Sequence, residues 1–106
     1  MNDVQWIEAA RALAERVIHE AGPKAGVRID RMSEILLAHD PKPQTLTVLR
    51  TSLDQMEKHY DSDPKAAHAL VHEGESKPPG DIPEAQLAAW TMIANEMLNL
   101  DETLNK

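Results

Sequence analysis

The chain has 106 residues and carries 18 acidic and 11 basic side chains, for a formal net charge of −7. This acidic balance argues against a nucleic acid partner, whose phosphates repel negative charge. The absence of cysteine excludes disulfides, thiolate metal sites and the Cys-x-x-Cys-His attachment of haem. No apolar stretch approaches the roughly 20 residues that span a bilayer, and no signal segment is evident at the start. We expect one soluble domain over residues 1–106.

The apolar composition favours helices over strands. Hydrophobic residues make up 42% of the chain, yet there is no Phe, one Tyr and two Trp, so aliphatic residues and Met must fill the core. The first predicted helix is capped by Asp3 and runs to about His19, and Gly22 and Pro23 then stop it. Its apolar positions recur at three- and four-residue steps: Trp6, Ala10, Leu13 and Val17.

A proline-rich stop separates the second and third predicted helices. Residues 27–38 have apolar positions at helical spacing, and residues 40–43 (Asp-Pro-Lys-Pro) end that helix. The third predicted helix spans residues 43–60 and carries a heptad pattern over two repeats. The residues of this pattern, called the heptad seam below, are Leu46, Leu49, Leu53, Met56 and Tyr60. Two heptads are too few for a free coiled coil, so the pattern favours a helix within a bundle.

The last two predicted helices flank a linker. Asp63 as N-cap and Pro64 at the first helical position predict the start of a short fourth helix. Residues 74–81 are rich in Gly and Pro, which forbids a regular element and predicts the linker. Pro83 opens the fifth helix, which we expect to end at Asn99, because Asn tolerates the left-handed conformation. One broad face of this helix is apolar: Leu87, Trp90, Ile93, Ala94 and Met97.

These elements predict an all-α fold, a compact bundle of about five mostly up-and-down helices. The connections are short, and each helix has one apolar stripe to bury against its neighbours. Large apolar side chains at helical spacing are expected to anchor the core or an interaction surface. The residues with this expected role are Trp90, Leu87, Met97, Leu53 and Trp6.

Two histidines are the main candidates for metal chemistry. His68 and His72 lie four residues apart on a predicted helix, so both rings can point to one side and share a metal ion, with Glu73 or Glu75 as a third ligand. However, no Glu occupies the metalloprotease position between them, and no third histidine follows at a diagnostic spacing. The sequence therefore assigns no metal site and no cofactor, and these histidines remain candidates only.

The other polar residues predict no catalytic site. Asp101 and Glu102, with Glu96 before them, form an acidic end, but a catalytic carboxylate needs an apolar pocket that raises its pKa. We expect these groups to be solvated or paired with an Arg of the first helices. The remaining histidines lie near predicted helix ends, where the helix dipole favours a cation, and we interpret them as C-terminal caps: His19, His39 and His59.

The end of the chain resembles a known family. Residues 86–91 (Gln-Leu-Ala-Ala-Trp-Thr) and 98–102 (Leu-Asn-Leu-Asp-Glu) are similar to the C-terminal signature of large secreted planctomycete-type proteins, built around a domain of unknown function and often joined to cytochrome c modules. Residues 63–67 (Asp-Pro-Lys-Ala-Ala) and 72–76 (His-Glu-Gly-Glu-Ser) fit the order of that family, whereas residues 27–43 depart from it. The resemblance implies a helical C-terminal region and a periplasmic or extracellular location, and the family itself has no assigned function.

Three functions from different classes are compatible with the sequence. The first is a non-catalytic helical interaction or structural module, whose partner is another protein or the remaining domains of a longer polypeptide. The second is a stand-alone small helical protein that oligomerises through the heptad seam, for example as a homodimer. The third is a metal site at His68 and His72. Burial of the seam within one chain favours the first function over the second.

Overall fold

Five helices account for most of the chain, and their order agrees with the predicted one. They are α1 (Val4–Ala21), α2 (Ala25–Leu36), α3 (Pro43–Ser62), α4 (Pro64–Val71) and α5 (Glu84–Leu104). The structure, a computed structural model, describes residues 4–37, 40–75 and 77–104, with the backbone alone for residues 101–104. Within these ranges there is no strand. The predicted all-α bundle of five helices is confirmed.

The predicted helix boundaries hold where local stop and start residues are strong. Gly22 follows α1 with a φ of 79°, the left-handed conformation that glycine adopts without a steric penalty. The side chain of Asp63 accepts a hydrogen bond from the backbone N–H of Ala66 at 3.1 Å, and Pro64 is the first residue of α4. Both predictions are confirmed. The predicted cap at Asp3 lies outside the described residues.

The predicted end of α5 at Asn99 is wrong, because the helix continues to Leu104. Asn tolerates a left-handed conformation but does not impose it, and no described non-glycine residue has a positive φ. Leu98 and Leu100 pack partly buried against the core on both sides of Asn99. These tertiary contacts favour continued helix over a local stop.

Helix α5 is the centre of the bundle, and it contacts each of the other four helices. Its residues from Leu87 to Met97 are mostly buried, including Trp90, which is 1% exposed. Leu53 of α3 packs into the same core. The expected anchors are therefore buried apart from Trp6, which is only partly buried. The radius of gyration is 12.9 Å, close to the value of about 13 Å for a compact chain of this length.

The heptad seam faces this core. Leu49, Leu53 and Tyr60 are buried, and Leu46 and Met56 pack against them partly buried. The seam therefore closes against the other helices of the same chain. Among the described helices, none combines the length and apolar character needed to cross a membrane.

Candidate functional site

The candidate site lies where α4 and α5 meet across the linker. His68 and His72 lie one turn apart at the end of α4, and Glu84 is the first residue of α5. The linker begins at Gly74, which has a φ of 85° and allows the chain to turn back, and Pro78, Pro79 and Gly80 lie near its other end. The side chain of Ile82 is buried in the core and fixes the approach to α5. The turn thus brings the three polar side chains together.

A buried arginine holds α4 in place. Arg11 of α1 is 3% exposed, and its Nη1 donates hydrogen bonds to the backbone oxygens of Val71, at 2.7 Å, and Glu73, at 3.3 Å. Carbonyl groups at the end of a helix lack partners within the helix, and a cation near them is favoured by the helix dipole. Arg11 therefore caps α4 from a neighbouring helix. Its Nε also lies 3.3 Å from the carboxylate of Glu15.

The three side chains of the site are in direct contact. Nδ1 of His68 lies 3.0 Å from both carboxylate oxygens of Glu84, and Nε2 of His72 lies 2.9 Å from Oε2. The centroids of the two rings are 4.1 Å apart. All three residues are exposed, so the cluster is open to solvent.

The electrostatics of the site keep the carboxylate charged. Hydrogen bonds from His68, and then from His72, hold the pKa of Glu84 below its ordinary value. Glu84 also occupies the first turn of α5, where the helix dipole stabilises an anion. The site therefore brings together one carboxylate and two imidazole rings, which are ligand types that bind transition metals.

The third member of the site differs from the residues that the sequence indicated. The structure brings Glu84, rather than Glu73 or Glu75, to the two histidines. The backbone oxygen of Glu73 instead accepts the Arg11 hydrogen bond. The sequence contains only a weak indication of Glu84. It is an acidic residue directly after Pro83, at the start of the helix that follows the one carrying the histidines. Only the path of the linker shows that these positions meet.

The other histidines and the acidic end remain separate from this site. His19 and His59 occupy the last turns of α1 and α3, the positions predicted for them, and their role as C-terminal caps stays a prediction. His19 lies 2.9 Å from the carboxylate of Asp81 in the linker, and the ring of His59 packs edge-on against Tyr60. Glu96 accepts a hydrogen bond from Ser52 at 3.0 Å. His39 and the side chains of the two acidic residues after Leu100 lie outside the described part of the chain.

A cleft of about 370 Å³ near the start of α5 was not indicated by the sequence. Arg28 lies in its wall, where its Nε donates to the oxygen of Gly22 at 2.6 Å and its Nη1 to Oε1 of Gln86 at 2.9 Å. The same guanidinium lies 5.4 Å from the ring centroid of Trp90, a cation–π contact. Burial lowers the pKa of Arg28. The residues lining the cleft are Pro23, Arg28, Glu57, Asp61, Pro83, Ala85 and Gln86.

Comparison with known proteins adds no relative. No protein-family model matches the chain, and no curated protein or solved structure is significantly similar to it. The resemblance to the planctomycete-type proteins therefore stays a prediction, and the fold rests on the structure itself.

Proposed function

We propose that this protein is a non-catalytic helical module that binds a partner protein, or the remaining domains of a longer polypeptide, through an acidic face. The acidic face consists of Asp54, Glu57 and Asp61, which lie three and four residues apart on α3 and are all exposed. Residues at this spacing share one side of a helix. The face borders the cleft that contains Arg28.

The observation that carries this proposal is that the apolar stripes of the five helices close against one another within one chain. The largest buried apolar side chains all belong to one core cluster. Buried polar side chains are used inside the fold: Arg11 caps α4, and Ser33 and Thr91 bond to backbone oxygens one turn earlier. Among the described residues, the large apolar side chains that stay exposed are Val4, Val27 and Val48, each on a different helix. We therefore assign partner binding to the acidic face.

The acidic face stores unfavourable interactions that a cationic partner would relieve. Burial raises the pKa of Glu57, the neighbouring charges of Asp54 and Asp61 raise it further, and the charge of Arg28 offsets only part of this increase. Like charges three or four residues apart on a helix destabilise it. A basic surface docked here would neutralise these charges, and electrostatic steering would speed its encounter with a chain of net charge −7.

The resemblance of residues 86–91 and 98–102 to the planctomycete-type signature supports a setting for this module. In that setting the bundle would form the closing helical part of an exported protein, and its partner would be the preceding domains. The acidic face would then be a contact between domains.

Chemical crosslinking with partner capture tests the proposal. Wild-type protein should retain a basic partner at low salt and release it at high salt, and crosslinks should start from Lys58, which is exposed on α3. The variant Asp54→Asn/Glu57→Gln/Asp61→Asn should lose the partner while keeping its fold. Retention of the same partner by this variant would contradict the proposal.

A matched control removes the same charge elsewhere on the surface. Its three positions are exposed and lie outside the acidic face, and it should bind the partner as the wild type does: Asp30→Asn, Glu34→Gln and Glu75→Gln. If this control also loses the partner, net charge rather than the acidic face is responsible.

The competing homodimer is tested through Leu53. This side chain is 3% exposed within one chain, so Leu53→Ala should lower the free energy of unfolding by about 2–5 kcal/mol. The loss should be the same at every protein concentration, and light scattering coupled to size exclusion should report a monomer. A melting temperature that rises with concentration in the wild type, but not in Leu53→Ala, would support the dimer instead.

A further inference from the structure

The cluster formed by His68, His72 and Glu84 has a second property that the interaction module does not use. One ligand atom from each residue can be chosen so that all three lie within 4.8 Å of one another, and the described part of the chain has no other such group. We propose that these three side chains form a binding site for a divalent transition-metal ion, of which Zn²⁺ fits best.

The distances suit a tetrahedral ion. Zn²⁺ binds imidazole nitrogen and carboxylate oxygen at about 2.0–2.2 Å, which places neighbouring tetrahedral ligands about 3.3–3.6 Å apart. The nitrogen–oxygen distances between the histidines and Glu84 are 2.9–3.0 Å. Each nitrogen–oxygen distance needs to lengthen by only a few tenths of an ångström. The three ligand atoms already lie within 4.8 Å of one another, and rotation of the exposed side chains can bring them to tetrahedral spacing.

The donor set selects the class of metal. Two imidazole nitrogens and one carboxylate suit Zn²⁺, Ni²⁺ and Cu²⁺, whereas Mg²⁺ and Ca²⁺ prefer oxygen ligands alone. With three protein ligands, a water molecule would complete four-coordination. When the ion binds, each ring directs a lone pair to it. The proton that each ring shares with Glu84 in the metal-free site then moves to solvent or to the second nitrogen of the same ring.

The site is held together by the fold rather than by a flexible segment alone. The Asp63 cap fixes the start of α4, and Arg11 fixes its end from α1. Glu84 lies 12 residues after His72 in sequence and begins the central helix of the bundle. An ion bound here would tie α4 to α5 across the linker, and it should therefore stabilise the folded chain.

The direct test is a calorimetric titration of the untagged protein with Zn²⁺ alone, together with thermal melting of the protein with and without Zn²⁺. We expect one ion per chain, no comparable binding of Mg²⁺, and a melting temperature raised by about 10 °C when free Zn²⁺ exceeds its dissociation constant 100-fold. Co²⁺ in place of Zn²⁺ should give the absorption spectrum of a tetrahedral ion.

Matched variants assign the ligands. His72→Ala and Glu84→Gln should each weaken Zn²⁺ binding by about 100-fold or more, since loss of an outer-shell partner alone costs 10–100-fold. Glu75→Gln removes an exposed carboxylate three residues after His72 in sequence that is not part of the cluster, and it should bind Zn²⁺ like the wild type. Melting of each variant without metal checks that it is folded. Equal Zn²⁺ affinity of Glu84→Gln and Glu75→Gln, or no saturable binding by the wild type, would overturn the proposal.

Discussion

Arg11 and the histidine cluster meet the same end of α4, Arg11 from inside the bundle and the histidines on its surface. The guanidinium of Arg11 is buried and bonded to carbonyl groups at the end of α4, whereas the side chain of His68, in contact with Glu84, is 62% exposed. A buried cation must keep its partners permanently, because an unpaired charge in the core is very costly. Exposed groups can exchange partners with solvent. The first arrangement therefore serves the fold, and the second is free to bind a ligand.

The largest effect is expected at Trp90, beneath the other buried arginine. Trp90→Ala removes a 1% exposed ring and its cation–π contact with Arg28, so the free energy of unfolding should fall by about 3–5 kcal/mol. Urea denaturation measures this change. Trp6→Ala is the control, because Trp6 is only partly buried and should cost less. A loss below about 1 kcal/mol at Trp90 would mean that its ring does not belong to the core.

Replacing Arg11 and, separately, His72 tests whether the buried and the exposed residue differ in their contribution to stability. Arg11→Gln should cost about 1–3 kcal/mol, since the carbonyl groups of Val71 and Glu73 would lose a buried donor. His72→Ala, at an exposed position, should change stability by about 0.5 kcal/mol or less in metal-free solution. Thermal melts of both variants measure these changes in stability. Equal losses would show that Arg11 and the histidine cluster contribute equally to the fold.

A substitution in the linker between the histidines and Glu84 should change the free energy of unfolding by a smaller amount. Gly74 has a φ of 85°, and an added Cβ would collide with the side chain of Glu8. Gly74→Ala should therefore cost about 1–2 kcal/mol, from the left-handed conformation and the displacement of Glu8. Gly80→Ala places its Cβ in open space and should change the free energy of unfolding by less than about 0.5 kcal/mol. Similar losses for the two variants would contradict the strained turn at Gly74.

The smallest effect concerns an exposed ion pair between α1 and α2. Hydrogen bonds from Arg16 and Arg31 hold the pKa of Glu20 below its ordinary value of 4.5. The folded state then binds fewer protons than the unfolded state, so Glu20 stabilises the fold above pH 4.5 and loses this contribution as the pH falls through its lowered pKa. Glu20→Gln should be slightly less stable than wild type at neutral pH and equal to it in acid. Melting temperatures across this range test the sign, and high salt should shrink the difference.

Features of the fold that depend on neighbouring residues could be predicted from the sequence, whereas features that depend on contacts between helices could not. The end of α1 before Gly22 and the start of α4 at Pro64 each depend on a few residues adjacent in sequence, so both were predictable. The heptad seam was equally clear, because its residues repeat on one helix. The end of α5 was not predictable from Asn99, since packing of Leu98 and Leu100 against other helices decides it.

The sequence by itself determined that this protein is an all-α bundle without disulfides, and that His68 and His72 share one side of a helix. The tertiary structure decided that Arg11 is buried beneath the end of α4 and that Glu84 completes the histidine cluster. The physical reason is the range of the interactions. Helical periodicity and capping act within about one turn, whereas Arg11 meets Val71 across 60 residues and Glu84 meets His72 across the linker.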